Sequence, residues 1–518
     1  MLQKSHSPSH LKRLALLAVL SLLALLLAGC TTYNGYPTVA PEPTNTAAAP
    51  KATPAPTPRP TLAAPPTATP RPGLPAAPSG VQSTKADILK DAFTNLISNY
   101  FQPIASADIY EVGLRAIELG LQQSGIDPKA QVLLPQFGDQ DDANWTAFMQ
   151  AYTLVLDKYK GKVTEDQLEL FALSGATSSL ADCETNYIPP TLSDRYYSQR
   201  TNQATTVGIG INLQSGQTTS GANAHLISRT ITGGPAEKAG LKLGDQILAI
   251  DGQDLATRTS TQVIQLLQGT AKGDQAIGSK VTLTIHRANS TQNQTIDITR
   301  NQFQVPTMEH YVLNKTTGYI RFNQFPLSSE AERTTMTTTV ANWMADFEKA
   351  GVTGFVLDLR GNGNGNINLV QNILSYFMSG AELVYLNGGR LDPSKKRIYG
   401  PFAMPSNQAI KATDKPVSVL VDGGTAGEAE IFAYAIQQGK RGAVVGDSTA
   451  GCLNASSPVG LKDNSLLIIT TYKAISDPNK PESIINGVEP DQQAAIDLQQ
   501  LSQGKDSQLD LAVKALTK

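Results

Sequence analysis

The spacing of hydrophobic residues changes character several times along the chain, and each change predicts a different kind of structure. An uncharged, leucine-dominated run from Leu14 to Leu27 follows Lys4, Lys12 and Arg13. It is shorter than a membrane span and gives way to a polar stretch, the pattern of a signal peptide over residues 1–29. Residues 30–84 are dominated by Pro, Thr and Ala, as in Thr53-Pro54-Ala55-Pro56-Thr57-Pro58-Arg59-Pro60. Such a segment cannot bury a core and predicts an extended spacer. From Asp87 the period becomes helical: Ile88, Leu89, Ala92, Phe93, Leu96, Ile97 and Tyr100 recur at three- and four-residue steps. Similar stripes run from Ile109 to Leu121 and through Trp145, Phe148, Tyr152, Val155 and Tyr159, and Thr164 with Gln167 forms a capping box for another helix. Residues 85–200 are therefore expected to be a helical domain whose aromatic stripes are core.

Beyond residue 200 the texture turns to short β-rich runs: His225 to Ile231, Gln246 to Asp251, Lys280 to Arg287 and Thr295 to Arg300, with one helix over Ser260 to Leu267. From residue 305 strands and helices alternate. Gly318 to Phe322, Gly354 to Leu359 and Pro416 to Val421 read as strands, with helices near Ser329 to Lys349 and Glu428 to Gln438. The prediction is a multidomain α+β chain with helical residues 85–200, a β-rich domain over 201–304 and an α/β core over 305–518, whose functional loops gather at strand ends.

Charge and cysteine content narrow the chemistry. The 42 basic and 44 acidic residues leave a formal charge of −2, with no basic surplus to attract nucleic acid. The histidines that follow the signal run, His225, His286 and His310, fall in no metal-binding spacing, so neither a metal nor another cofactor is expected. The three cysteines are Cys30, Cys183 and Cys452. Leu27-Ala28-Gly29-Cys30 resembles the bacterial lipobox, which implies that Cys30 carries a lipid anchoring the chain outside the cytoplasm, on the cell membrane.

Gly234-Pro235-Ala236-Glu237-Lys238-Ala239-Gly240-Leu241-Lys242-Leu243-Gly244-Asp245-Gln246-Ile247-Leu248-Ala249-Ile250-Asp251-Gly252 resembles a PDZ domain. By that resemblance Gly208, Ile209, Gly210 and Ile211 form the loop that receives a peptide's C-terminal carboxylate, and the peptide adds a strand to the sheet edge. Further blocks are Ser179-Leu180-Ala181-Asp182-Cys183-Glu184-Thr185-Asn186-Tyr187-Ile188-Pro189-Pro190, Gly318 to Phe322, Leu357-Asp358-Leu359-Arg360-Gly361-Asn362-Gly363-Asn364-Gly365, Gly487 to Asp491 and Gly504 to Leu509. In this order they resemble the carboxyl-terminal processing peptidases, or tail-specific proteases, of serine peptidase family S41. The resemblance implies a protease core of the crotonase/ClpP type.

These enzymes use a serine nucleophile and a lysine base 25 residues later, a pair that works because burial lets the lysine take the serine's proton. The matching stretches here are Gly423 to Ile431 and Gly446 to Cys452. They place Gly427 at the serine's position and Cys452 at the lysine's, with Ser456 where the lysine's glutamine partner often stands. Glycine has no side chain to attack a carbonyl, so the family mechanism is excluded at residue 427. An oxyanion-hole remnant is expected from the backbone of Gly363, Gly365 and Glu428. Three readings stay open. The first is a pseudopeptidase that binds protein C-terminal tails or a partner peptidase. The second is an active endopeptidase using Thr425 or Cys452 as a displaced nucleophile. The third is an envelope protein that self-associates as a homo-oligomer. Cys183 and Cys452, both unusual for the family, are also candidates for a disulfide across the former active site, which a Cα separation beyond about 7 Å would rule out.

Overall fold

The computed structural model describes residues 82–200, 205–217, 221–269, 273–288, 290–363, 365–380, 382–391 and 397–517. The signal run, Cys30, all but the end of the Pro-rich spacer, and Asn364 lie outside them. The described chain divides into two compact units, one made of the residues up to Lys90 with Ala105–Ala176 and the other of Asp91–Ile104 with everything from Thr177 onward.

Four helices open the described chain: α1 (Ala86–Asn99), α2 (Ser106–Gln123), α3 (Asp141–Lys158) and α4 (Glu165–Ser179). The first three form where the apolar period predicts, and the fourth where the capping box does. In α2 the buried positions include Ile109, Tyr110, Leu114, Ile117 and Leu121, one face at helical spacing. Phe148 and Tyr152 of α3 are fully buried, and Tyr110 lies 5.3 Å from Phe148 between ring centroids, so the aromatic stripe is core. The capping box ahead of α4 is present: Gln167 N donates to Thr164 Oγ1 at 3.2 Å and Thr164 N to Gln167 Oε1 at 3.0 Å.

Next come β1 (Asn186–Ile188), α5 (Pro190–Arg200), β2 (Thr205–Gly208), β3 (Ile211–Gln217), β4 (Asn223–Thr230), α6 (Pro235–Lys238), β5 (Gln246–Ile250), β6 (Gln253–Asp254), α7 (Ser260–Gln268), β7 (Lys280–His286), β8 (Gln294–Thr299) and β9 (Asn301–Gln304). Strands β3-β4-β5-β7-β8 form one sheet with β6 beside β5, and β2 pairs with β9. Leu213, Ile227, Ile247, Val281, Leu283 and Ile285 from this sheet share a core with Val263 and Leu267 of α7. Among the described residues strand β3 pairs only with β4 and lies at the sheet's edge.

The remaining elements are β10 (Met308–Leu313), β11 (Thr317–Phe322), α8 (Glu330–Lys349), β12 (Gly354–Asp358), α9 (Ile367–Leu374), β13 (Val384–Leu391), β14 (Arg397–Met404), β15 (Val417–Val421), α10 (Glu428–Gln438), β16 (Gly442–Gly446), β17 (Asn454–Gly460), β18 (Leu466–Ile475), β19 (Gln492–Gln493), α11 (Leu498–Ser502) and α12 (Ser507–Ala515). A six-stranded sheet runs β10-β11-β12-β15-β16-β19, parallel except for β10. Strands β12 and β15 are buried at every residue, as expected where helices cover both faces. Phe355, Leu357 and Val419 belong to a core shared with Phe347 of α8, Ile373 of α9 and Phe432 of α10, while Val356, Leu420 and Val445 meet Ala512 of α12 on the opposite face. A second, antiparallel sheet, β1-β18-β13-β14 with β17 also on β18, stands beside the first. Strand β1, expected within the helical region, instead pairs with β18 through Asn186↔Ile468 and Tyr187↔Leu467.

Candidate functional site

The turn from β15 into α10 carries residue 427, and it is built by backbone capture. Asp422 Oδ1 accepts from the N–H groups of Gly361 at 2.8 Å and Gly424 at 2.9 Å, and Ala426 N donates to the Asn362 carbonyl at 2.9 Å. These bonds stitch the loop after β12 to the loop after β15, at the carboxyl ends of neighbouring parallel strands. Gly427 itself sits at φ +60°, ψ −129°, a conformation essentially restricted to glycine unless the surroundings hold another residue there.

Glu430, one turn into α10, joins this position to residue 452. The side chain is buried. Its Oε2 accepts from Gly427 N at 3.1 Å and from Cys452 N at 2.7 Å, so these two nitrogens lie within two hydrogen-bond lengths of each other. Its Oε1 accepts from Gly451 N at 2.8 Å and from the Thr449 hydroxyl. Gly427 and Cys452 therefore lie close together in space.

Neither displaced nucleophile is available. Cys452 Sγ is bonded to Cys183 Sγ, with a Cα separation of 5.8 Å, so the thiol weighed as a substitute nucleophile is not free in this state. The Thr425 side chain is buried; its hydroxyl donates to the Leu359 carbonyl at 3.0 Å and accepts from Asp422 N at 3.1 Å, a structural use that holds the turn.

The expected oxyanion-hole remnant is also corrected. Gly365 N donates to Glu428 Oε2 at 2.6 Å, so this N–H is taken by an internal carboxylate rather than offered to a ligand. The backbone N–H groups of Glu428 itself and of Ser456 also bond that carboxylate and hold its pKa back. The Glu428 side chain thus occupies the Gly365 N–H. Gly363 follows buried Asn362 on the same loop, and its N–H has no partner among the described residues.

Ser456 lies on β17 beside the same acids. Glu428 is fully buried and its Oε1 has no hydrogen-bond partner; both carboxyl oxygens of Glu184, next to the disulfide, are likewise enclosed without one. Burial first, and then the charge of Glu184, raise the Glu428 pKa well above the usual carboxylate range. Burial pushes Glu184 up to about 7, against the pull of the Ser456 hydroxyl and Arg200, with Asp182 and Glu430 adding to the rise. Burial also raises Glu430, with the four donors on its carboxyl group opposing. Tyr196 and Arg200 of α5 close this side, the guanidinium carbon 4.5 Å from the tyrosine ring centroid. Sequence reasoning missed the side chains of Glu184, Glu428 and Glu430. Glu428-Ala429-Glu430 reads as ordinary acids in a first helical turn, and Glu184 is distant in sequence.

The second site is the loop between β2 and β3. Gly210 has φ +79°, and a Cβ built there meets Phe303 Cζ at 3.0 Å, so both backbone and space call for glycine. The carbonyls of Ile209 and Gly210 accept from Ala236 N at 2.7 Å and Ile231 N at 2.9 Å. The N–H groups of Ile209 and Gly210 have no partner among the described residues. Gly208 ends β2 opposite Asn301, and Ile211 begins β3, whose outer edge is unpaired among the described residues. Unpaired N–H donors beside an open strand edge suit an extended chain ending in a carboxylate.

Residues 316–494 match peptidase family S41 and residues 199–286 match the PDZ domain family. Among known proteins, the chain is similar to a carboxy-terminal processing protease of Bacillus subtilis, 26% identical over 387 residues that cover 74% of each chain. It is also similar to a carboxyl-terminal-processing protease of Synechocystis, 27% identical over 71% of this chain and 82% of that one. Among solved structures, the photosystem II D1 C-terminal processing protease superposes with a TM-score of 0.42 at 20% identity, over 82% of this chain and 99% of that one.

Proposed function

Since the chain carries a PDZ domain followed by a peptidase family S41 domain, we propose that it is a lipid-anchored S41 homologue that captures protein C-terminal tails and does not cleave them by the family mechanism. One observation carries the reading. At the place of the nucleophile stands Gly427, and at the place of the base stands Cys452, bonded to Cys183. No attacking oxygen and no proton acceptor occupy the two positions, and one of the expected oxyanion donors, the Gly365 N–H, is spent on Glu428.

Tail capture rests on the Ile209 and Gly210 donors and the open edge of β3. A terminal carboxylate accepts charge-assisted bonds there while the preceding residues extend the sheet. The Leu27-Ala28-Gly29-Cys30 sequence behind a leucine-rich run supports an anchor that keeps this platform beside the membrane outside the cytoplasm. Exported proteins or a partner peptidase would meet it there.

The test follows binding and cleavage together. Unstructured peptides with apolar C-terminal tails are incubated with the protein, each as the free acid and as the amide. The free acid is expected to bind about tenfold more tightly or better, since hydrogen bonds to a charged group contribute about 1.5–3 kcal/mol, and the peptide is recovered intact. Equal binding of acid and amide would refute capture at the loop. Reproducible cleavage lost in Thr425→Ala or Cys452→Ala would refute the non-cleaving reading.

A further inference from the structure

Strand β3, whose edge would take a tail, ends against a helix from outside the PDZ domain. Side chains alternate along β3: Leu213 lies in the apolar core under α7 with Ile211 packed against it, so Asn212, Gln214 and Gly216 turn to the other face of the sheet. On that face Ala224 and Leu226 of β4, opposite Gly216 and Gln214, share a small apolar cluster with Leu501 of α11, and Leu243, Ile496 and Leu498 pack against it. A Cβ built on Gly216 would lie 2.4 Å from Leu498 Cδ1, so Leu498 fills the side-chain place of residue 216. The two parts meet closely. At Gly244 a Cβ would stand 2.2 Å from the Leu501 carbonyl oxygen and 2.7 Å from Gly504 N, so the turn before β5 and the end of α11 touch backbone to backbone. Ile496 and Leu498 stay half-buried, which leaves apolar surface at this end of β3.

We propose that α11 extends the tail site: besides the terminal carboxylate, the protein reads the sixth residue from the end of a tail and selects an apolar side chain there through Leu498. This inference rests on tail capture at the Ile209 and Gly210 donors. A tail held there ends where β3 begins, so it adds to the edge antiparallel to β3. With its last residue opposite Ile211, its sixth from the end stands opposite Gly216. Directly opposed residues send their side chains to the same face, with Cβ atoms about 4.5–5.5 Å apart, so this side chain meets Leu498 in the place of residue 216. An apolar side chain there takes more of Leu498 out of water, whereas a charged one would give up hydration against apolar surface. The last, third and fifth residues from the end turn instead to the side of Ile211 and Leu213. The ligand class is thus an extended tail of at least six residues, apolar at its end and again at the sixth place.

Full-length protein is titrated calorimetrically with acetylated eight-residue peptides that end in valine as the free acid and carry serine elsewhere, except for leucine or aspartate at the sixth or the seventh place from the end. At the sixth place leucine is expected to bind about tenfold more tightly than aspartate, and at the seventh the two should agree within about threefold. In Leu498→Ala the sixth-place preference should fall below about threefold. Equal affinities at the sixth place in the wild type, a seventh-place preference of the same size, or an unchanged preference in Leu498→Ala overturns the inference. If Leu498→Ala does not fold, the comparison of the two places in the wild type decides. The sixth-place leucine peptide is also titrated as its amide. Equal binding of acid and amide refutes tail capture and this inference with it, whereas a preference for the acid without one at the sixth place leaves capture standing and removes only the role of α11.

Discussion

At residue 427 two requirements of catalysis are separated. The backbone keeps the tight strand-to-helix turn, with φ +60° and ψ −129°, while the side chain that such a turn would present is gone. Restoring the hydroxyl alone does not restore chemistry, because a serine needs a base to take its proton and Cys452 is tied to Cys183. Gly427→Ser is therefore expected to leave peptide cleavage and labelling by a serine-directed fluorophosphonate at background. It should also lower stability by about 1–3 kcal/mol, the cost of a side chain in that conformation, read from denaturant unfolding. Labelling of this variant at position 427 to the level of a competent serine peptidase would show that a base exists within reach. That Gly427 and Cys452 stand 25 residues apart, the separation that the resemblance implies for a catalytic pair, was legible in the sequence. The fate of Gly365 N–H was not, because it depends on where the Glu428 side chain turns after the helix starts.

Among the elements, the helices and parallel strands were the most legible. Helix α10 begins and ends where its apolar period and flanking glycines place it, and β15 is one residue shorter than expected. The antiparallel sheet around β18 was not anticipated. Strand β17, Asn454–Gly460, is small and polar with a proline inside it, so it lacks a β signature, and β1 is three residues whose partner lies far away in sequence. Such pairings are settled by what the long strand β18 leaves unpaired, which no local window contains. The edge of β3 carries the prediction at this scale. Gly210→Val puts a branched side chain at φ +79° and against Phe303, so tail binding measured by titration should fall at least tenfold while the Cys183–Cys452 bridge stays formed by thiol counting. Retained affinity would move the tail site away from the loop.

Across the whole molecule, buried acids dominate the response to pH. Burial raises Glu184, Asp422, Glu428, Glu430 and Asp447 above the usual carboxylate range. The folded chain then holds protons that the unfolded chain has released, so stability falls as pH climbs from about 4, and the part due to Glu184 is lost by about 7. Asp358 runs the other way. Although burial alone would raise it, the guanidinium groups of Arg321 at 2.7 Å and Arg360 at 2.6 Å hold its carboxyl far below the usual range. Its contribution is present above about pH 4 and is lost as pH falls through the lowered pKa. Tm should therefore be higher at pH 5 than at pH 8 and drop again in strong acid. A Tm that rises steadily from pH 5 to pH 8 would show that the buried acids are ionised in the folded state.

The sequence by itself determined the domain types, the helices and strands of the parallel core, and that a glycine and a cysteine stand at positions 427 and 452. These follow from local period and from residue identity at fixed spacing, which a linear chain displays. Only the tertiary structure decided that Cys183 and Cys452 are bonded, that Thr425 is spent on holding a turn, and that carboxyl oxygens of Glu428 and Glu184 are enclosed without hydrogen-bond partners. The physical reason is sequence distance. Cys183 and Cys452 are 269 residues apart, and charge, burial and hydrogen bonding between such residues exist only after β18 has paired with both β1 and β17.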